Sequence, residues 1–319
     1  RTAWTIFVIT SALQSDHFLL PIWRVISGGY FVEGHFTLRF LAGVFQNPIY
    51  AEGLFNSFLL GLGATLLALA ISLPLAWLGH RFDFPLKTPL TGLLLVPMIL
   101  PPFVGAIGFQ QMLGPYGALN ALMGWGPVDW LGRGRYAGVI LLQALSLYPI
   151  FYLNAAAALA NIDPAMEEAA ANLGCSGLRK FRRITLPLMM PGLFAGGAIV
   201  FIWSFTELGT PLIMNYTRCA SVQVYDALKE ISSNPFPYAL VSVMLAASVL
   251  LYAASRFFFG RQAFAMQGKA MTASAARPLS GWRAGLAALP FLAVTLLALL
   301  PHAGVLLTSF CEPGSWYRT

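Results

Sequence analysis

Seven long apolar stretches, divided by short polar segments, set the pattern of this chain. About 20 apolar residues in helical form are enough to cross the hydrocarbon core of a bilayer, so each stretch predicts a transmembrane helix. The expected spans run over residues 4–26, 54–78, 89–112, 136–159, 187–208, 236–259 and 284–308. The first is interrupted by Gln14, Ser15, Asp16 and His17 and is expected to be peripheral or locally buried. The third carries Pro97, Pro101 and Pro102 with Gly105 and Gly108, so it must be kinked or broken. Gly192 and Gly196 of the fifth form a GxxxG pair suited to close helix packing. A short helix is expected near 224–231, in the polar loop 210–235.

The longest charged island lies between the fourth and fifth stretches. It reads Asp-Pro-Ala-Met-Glu-Glu-Ala-Ala-Ala-Asn-Leu-Gly from Asp163 to Gly174, followed by Arg179, Lys180, Arg182 and Arg183. Asp163 suits an N-cap, and Pro164 suits the first helical position, where its missing N–H is harmless. Glu167 and Glu168 fall near the positive end of the helix dipole. Met166, Ala169, Ala170 and Leu173 recur at i, i+3, i+4 and i+7, a narrow stripe of mostly small residues. Gly174 stands where a residue with positive φ would end the helix. The product is a helix about 15 Å long with a face that another protein can approach closely.

The composition agrees with membrane spans: 58% hydrophobic and 10% charged, against about 25% charged in soluble domains. A net charge of +7 is explained by loops beside a membrane, not by nucleic acid. Cys175, Cys219 and Cys311 are too few and too scattered for a disulfide framework or a metal site, and His17, His35, His80 and His302 show no ligand spacing. Gly268-Lys269 lacks the rest of a P-loop, so no ATP site is expected, and no metal or hydrolase motif marks an enzyme. With the Asp163–Gly174 island on the inner side, Arg1, Arg81, Lys87, Arg179, Lys180, Arg182, Arg183, Arg256, Arg261, Lys269, Arg277 and Arg283 are inside. Arg24, Arg39, Arg133, Arg135, Arg218, Lys229 and Arg318 are outside. The excess supports this orientation. Polar side chains within spans are expected to mark a translocation path: Gln143, Tyr148, Tyr152, Asn154 and Glu207, with Gln110 and Gln111 also considered. A secondary transporter would show paired broken helices and midplane charges, and a membrane enzyme a polar cluster at one face; neither pattern is evident.

Glu168-Ala169-Ala170, then Gly174, then Ile184, Leu186 and Pro187 resemble the EAA loop of ABC importer permeases. The resemblance covers most of the chain, and its motif spacing is specific. It implies an all-α polytopic membrane protein with a type I (MetI-like) transmembrane domain of six helices, plus a seventh helix beginning a second half. The implied division is a first helix and periplasmic loop at 1–51 and a permease domain at 52–259 with its EAA loop at 161–187. A basic cytoplasmic linker at 260–283 and the start of a second half at 284–319 follow. Glu167, Glu168, Ala169, Ala170, Gly174, Ile184, Leu186 and Pro187 would form the coupling helix that docks on an ATPase. The implied partners are an ATPase homodimer that binds the ATP, a periplasmic solute-binding protein, a second permease half or copy, and the lipid bilayer. No cofactor is implied in this chain.

Leu100–Ala106 and the Ile-Asp-Pro lead into the loop look like iron(III)-type permeases. They imply iron(III) as solute, with phosphonate, thiamine or a polyamine as alternatives. Fused double permeases occur among those relatives. The seventh stretch, which has no evident place in a six-helix bundle, would then open a second half. Arg1 and Thr319 would be edges of a fragment, with at least five more spans and a second EAA-type loop beyond.

Overall fold

A computed structural model describes residues 4–5, 7, 10–11, 15–32, 35–132, 135–228, 235–266 and 276–310, with the side chains of 18 and 258–266 left aside. Expectations resting on Arg1, Arg133, Lys229, Ile231, Lys269, Cys311 and the residues after 310 lie outside the described residues. Among the described residues, five helices are long and apolar enough to cross a membrane, or six if one sharply bent pair counts as a single span. The chain divides into two compact units, residues 1–57 with 217–250 and residues 58–216 with 251–319.

In the first unit a π-helical turn at Ser15–Leu19 leads into α1 (Leu20–Tyr30). Of the polar interruption of the first stretch, Ser15, Asp16 and His17 fall in this turn, with Asp16 and His17 exposed, and Gln14 lies outside the described residues. The two-residue strands β1 (Phe31–Val32) and β2 (His35–Phe36) pair antiparallel, and α2 (Arg39–Gln46) follows. The unit is closed by the start of α3 (Pro48–Arg81) and by segments that come later in the chain. Asn56 donates to the Arg218 carbonyl at 2.8 Å, and Ser57 accepts the Ala220 N–H at 2.9 Å. Phe236 packs between Phe40 and Tyr50.

In the second unit α3 ends at Arg81 and a two-residue strand, β3 (Phe82–Asp83), follows. The third stretch is broken, one of the two expected outcomes, into two arms: α4 (Lys87–Leu93) with a 3-10 turn at Val96–Met98, and α5 (Pro102–Leu113). The bend between Lys87–Met98 and Pro102–Met123 is 103°. Pro97, Pro101 and Pro102 have no N–H to give, so no continuous hydrogen-bond ladder can cross the break. A short helix, α6 (Ala118–Met123), leads toward α7 (Tyr136–Ala160). After α8 (Pro164–Asn172) comes α9 (Gly177–Thr206), which starts ten residues before the expected Pro187 and contains a π-helical turn at Phe181–Thr185. The GxxxG expectation is met: Gly192 faces Ala158 and Gly196 faces Asn154, so α7 and α9 approach closely. Beyond α9 lie α10 (Gly209–Ile213) and, in the first unit, α11 (Ala220–Ala227). The helix of the sixth stretch, α12 (Phe236–Met266), passes the expected end at Phe259.

The largest departure concerns the seventh stretch. Helix α13 (Trp282–Phe310) has a place in the bundle, packed along α5. A Cβ on Gly108 would strike the Pro301 carbonyl oxygen, and one on Gly304 would strike the Gly108 carbonyl. The two backbones therefore touch, which small residues allow and larger ones forbid. Phe291 is fully buried beside Phe84, their ring centroids 5.4 Å apart. Just before α13, β4 (Arg277–Pro278) pairs parallel with β3, and the Leu279 N–H bonds the Asp83 carbonyl at 2.7 Å.

Two outcomes test this arrangement. Gly108→Leu should destabilise the detergent-solubilised protein by about 2 kcal/mol, read as a lower thermal midpoint, whereas Gly92→Ala, with open space around it, should change little. Single cysteines replacing Arg277 and Tyr216, with Cys175, Cys219 and Cys311 replaced by serine, should react with an impermeant reagent from opposite membrane faces. Labelling from the same face refutes the orientation.

Candidate functional site

The segment between α7 and α9 folds as its residues dictate. The Asp163 carboxylate accepts the Ala165 N–H at 2.9 Å, and Pro164 opens α8. At the other end Gly174 adopts φ +78°. The Gly174 N–H bonds the Ala171 carbonyl and the Cys175 N–H bonds the Ala170 carbonyl, both at 2.9 Å. This pair of bonds is a Schellman stop.

What fixes α8 to the bundle is Glu167. Its carboxylate accepts from Lys180 Nζ at 2.9 Å and from Thr185 Oγ1 at 3.0 Å, with Arg81 of α3 at 3.9 Å. Lys180 is 7% exposed, so its charge depends on this partner. Burial pushes the Glu167 carboxyl up, but the hydrogen bonds from Lys180 and Thr185 and the charges of Lys180 and Arg81 outweigh it, leaving the pKa below the ordinary carboxylate value. Thr185 is buried, Ile184 and Leu186 are half-buried, and Pro187 is exposed. Pro187 cannot donate to the Arg183 carbonyl, which coincides with the π-helical turn around it.

With Glu167 turned inward, its neighbour Glu168 is exposed. So are Met166, Ala169, Leu173 and Gly174, while Ala170 is buried. Leu173 is 88% exposed and Leu178, just beyond, 71%. The expected apolar stripe is thus mostly an outward surface, and a built Cβ on Gly174 meets nothing within 4 Å. The segments carrying Arg81, Glu167, Lys180 and Arg277 gather at one end of the second unit through the Glu167 contacts and the β3–β4 pair. Charge counting assigned those segments to the inner side.

The residues expected to mark a path are placed as follows. Gln143 is buried and its Nε2 donates to Glu207 at 3.1 Å, while Ser204 Oγ donates to Gln143 Oε1 at 2.5 Å. Glu207 ends α9 and accepts the Thr210 N–H at 2.8 Å, tying α7, α9 and α10 together. Tyr148 is fully buried and donates to the Leu94 carbonyl at 2.8 Å, and Ser72 donates to the Tyr148 carbonyl. Tyr152 is 9% exposed. Asn154 bonds the Ile150 carbonyl and packs against Gly196. Gln110 donates to the Ile213 carbonyl, and Gln111 is half-buried. None of these residues lines a cleft of about 260 Å³ at the break between α4 and α5, whose walls include Pro97, Leu100, Ser146, Ile150 and Trp203. Sequence reasoning passed over Ser146 as a path residue, and it passed over His302 of α13. The usable signal was the i, i+3, i+7 run Thr295, Ala298, His302 on one face of an apolar helix.

The bundle of apolar helices with a capped, outward-facing helix at its charged end is that of a transport permease of the ABC importer class, as the family match shows. The chain belongs to the binding-protein-dependent transport system inner membrane component family, whose pattern matches residues 65–261. It is a multi-pass inner-membrane protein. It is 29% identical over 237 residues to a probable molybdenum ABC transporter permease of Haloferax volcanii, covering 74% of this chain and 83% of that one. It is 28% identical to a ferric transport system permease of Actinobacillus pleuropneumoniae, covering 72% of this chain but 33% of that longer protein. Permeases named for sulfate and for spermidine/putrescine match at 29% and 31%, covering 56% and 54% of this chain. The fold is similar to that of a bacterial alginate ABC transporter solved with a pentasaccharide-bound periplasmic protein, at TM-score 0.62 and 15% identity over 82% of this chain and 94% of that one.

The lowered pKa of Glu167 has a pH consequence. Its stabilising contribution is complete above the ordinary carboxylate range and is lost as pH falls through the lower value it has in the folded state. Glu167→Gln should therefore lower the thermal midpoint at pH 7, by about 1–2 kcal/mol in stability. The difference from wild type should shrink in acid. Glu168→Gln should leave the midpoint unchanged at both.

Proposed function

We propose that α8 is the element through which an ATPase drives this permease. The observation that carries this reading is the division of labour on α8. Glu167 is consumed in holding the helix to α3 and α9, while Glu168, Ala169, Leu173 and Gly174 are presented outward on a helix that cannot easily detach. A small-residue face with one acid fits a shallow groove on a partner. The ATPase would be a homodimer that binds ATP, a periplasmic binding protein would deliver the solute, and a second permease half or copy would close the path. Hydrolysis would then bias a two-state transporter between outward and inward openings. The solute we propose is a small inorganic ion. Iron(III) is the expectation from Leu100–Ala106, and the ferric relative supports it. The molybdenum and sulfate relatives support an oxyanion instead.

Gly174→Val and Glu168→Lys should each abolish ATP-driven uptake while leaving membrane insertion intact. Valine is strained at the φ of +78° found at Gly174, which re-aims the helix end, and lysine reverses the one exposed acid of the docking face. The measurement is solute uptake by inverted-free vesicles alongside immunoblotted permease; normal uptake by both variants at wild-type abundance refutes the coupling role.

A further inference from the structure

Helix α13 carries a buried polar stripe that the importer reading does not use. Thr295 is 3% exposed, and its Oγ1 is buried without a hydrogen-bond partner among the described residues. Seven residues on, and so on the same face, both ring nitrogens of His302 are likewise buried and unpartnered. At membrane depth an unpaired polar group is costly, and an ionisable side chain there is a functional position by default. The imidazole lines a pocket of about 10 Å³ together with Pro97, Leu100, Leu145 and Ser146. That is room for one water-sized group. Pro97, Leu100 and Ser146 are also walls of the cleft of about 260 Å³ at the α4–α5 break. These shared residues include Pro97, beside the break between α4 and α5.

We propose that His302 and Ser146 form a hydrogen-bonding seat for an inorganic oxyanion passing through the permease, reached when the Pro97–Pro102 segment shifts. The proposal rests on the importer reading. The chemistry of the walls selects the anion. Neither cavity is lined by an Asp or Glu that could neutralise a cation. What the walls offer instead is an imidazole and a serine hydroxyl, each able to donate a hydrogen bond to an anion. Iron(III) or a polyamine would find apolar walls and no carboxylate.

The test uses the complete transporter, with its second permease half or copy, ATPase and binding protein, in proteoliposomes. Uptake of labelled molybdate, sulfate and iron(III) is measured. Single cysteines replacing Ser146 and His302, on a background without Cys175, Cys219 and Cys311, are probed with a small anionic thiol reagent at rest and after trapping with ATP and vanadate. The Ser146→Cys thiol should react in both states. The His302→Cys thiol should react only in the trapped state, and more slowly when molybdate or sulfate is present. His302→Leu should lower oxyanion uptake about tenfold, and His302→Gln, which keeps a donor, should restore most of it. The seat is overturned if the His302→Cys thiol is unreactive in every state, if His302→Leu transports as wild type does, or if the complex moves iron(III) and neither oxyanion. A wild-type complex whose ATPase ignores the loaded binding protein fails the importer reading itself, and the seat falls with it.

Discussion

A chain that crosses hydrocarbon must satisfy its own backbone, because no water is there to do so. This constraint decides where the prolines of the protein can stand. Pro74, Pro149, Pro191, Pro290 and Pro301 lie inside long helices, each removing one N–H from a ladder. Neighbouring helices also reach these backbones: Ser72 donates to the carbonyl of Tyr148, and the carbonyl of Pro301 lies against Gly108. Where three prolines crowd together, at residues 97–102, the ladder cannot be patched and the span becomes two arms. The cleft and the polar pocket both lie beside that break.

Much of this was legible in the sequence. Apolar runs located α7 and α13 closely, because length and hydropathy determine what can cross a membrane, whereas α9 begins and α12 ends well outside their apolar runs. The ends of α8 were legible because caps are local: Asp163, Pro164 and Gly174 act within a turn of where they stand. That α9 can approach a neighbour closely was legible in Gly192 and Gly196, though not that the neighbour is α7.

The rest depended on contacts between distant residues. Periodicity shows that α13 is apolar but not which helix it meets, and Gly108 and Gly304 lie nearly two hundred positions apart. Two adjacent acids, Glu167 and Glu168, look alike in sequence; only the arrival of Lys180, Thr185 and Arg81 distinguishes them. His302 was passed over for a related reason. A lone histidine without ligand spacing carries no motif, and its significance comes from the pocket that Ser146 and Pro97 build around it.

The difference between Glu167 and Glu168 is one of angular register. A helix turns about 100° per residue, so neighbouring side chains on α8 look in nearly perpendicular directions. Both the inward anchor and the outward acid are therefore set by the number of residues after the Asp163 cap. Losing or gaining one residue between Pro164 and Glu167 would swing every later side chain by that angle, taking the anchor away from Lys180 and the exposed acid away from its face together. The segment can drift in the identity of its exposed residues far more freely than in its length.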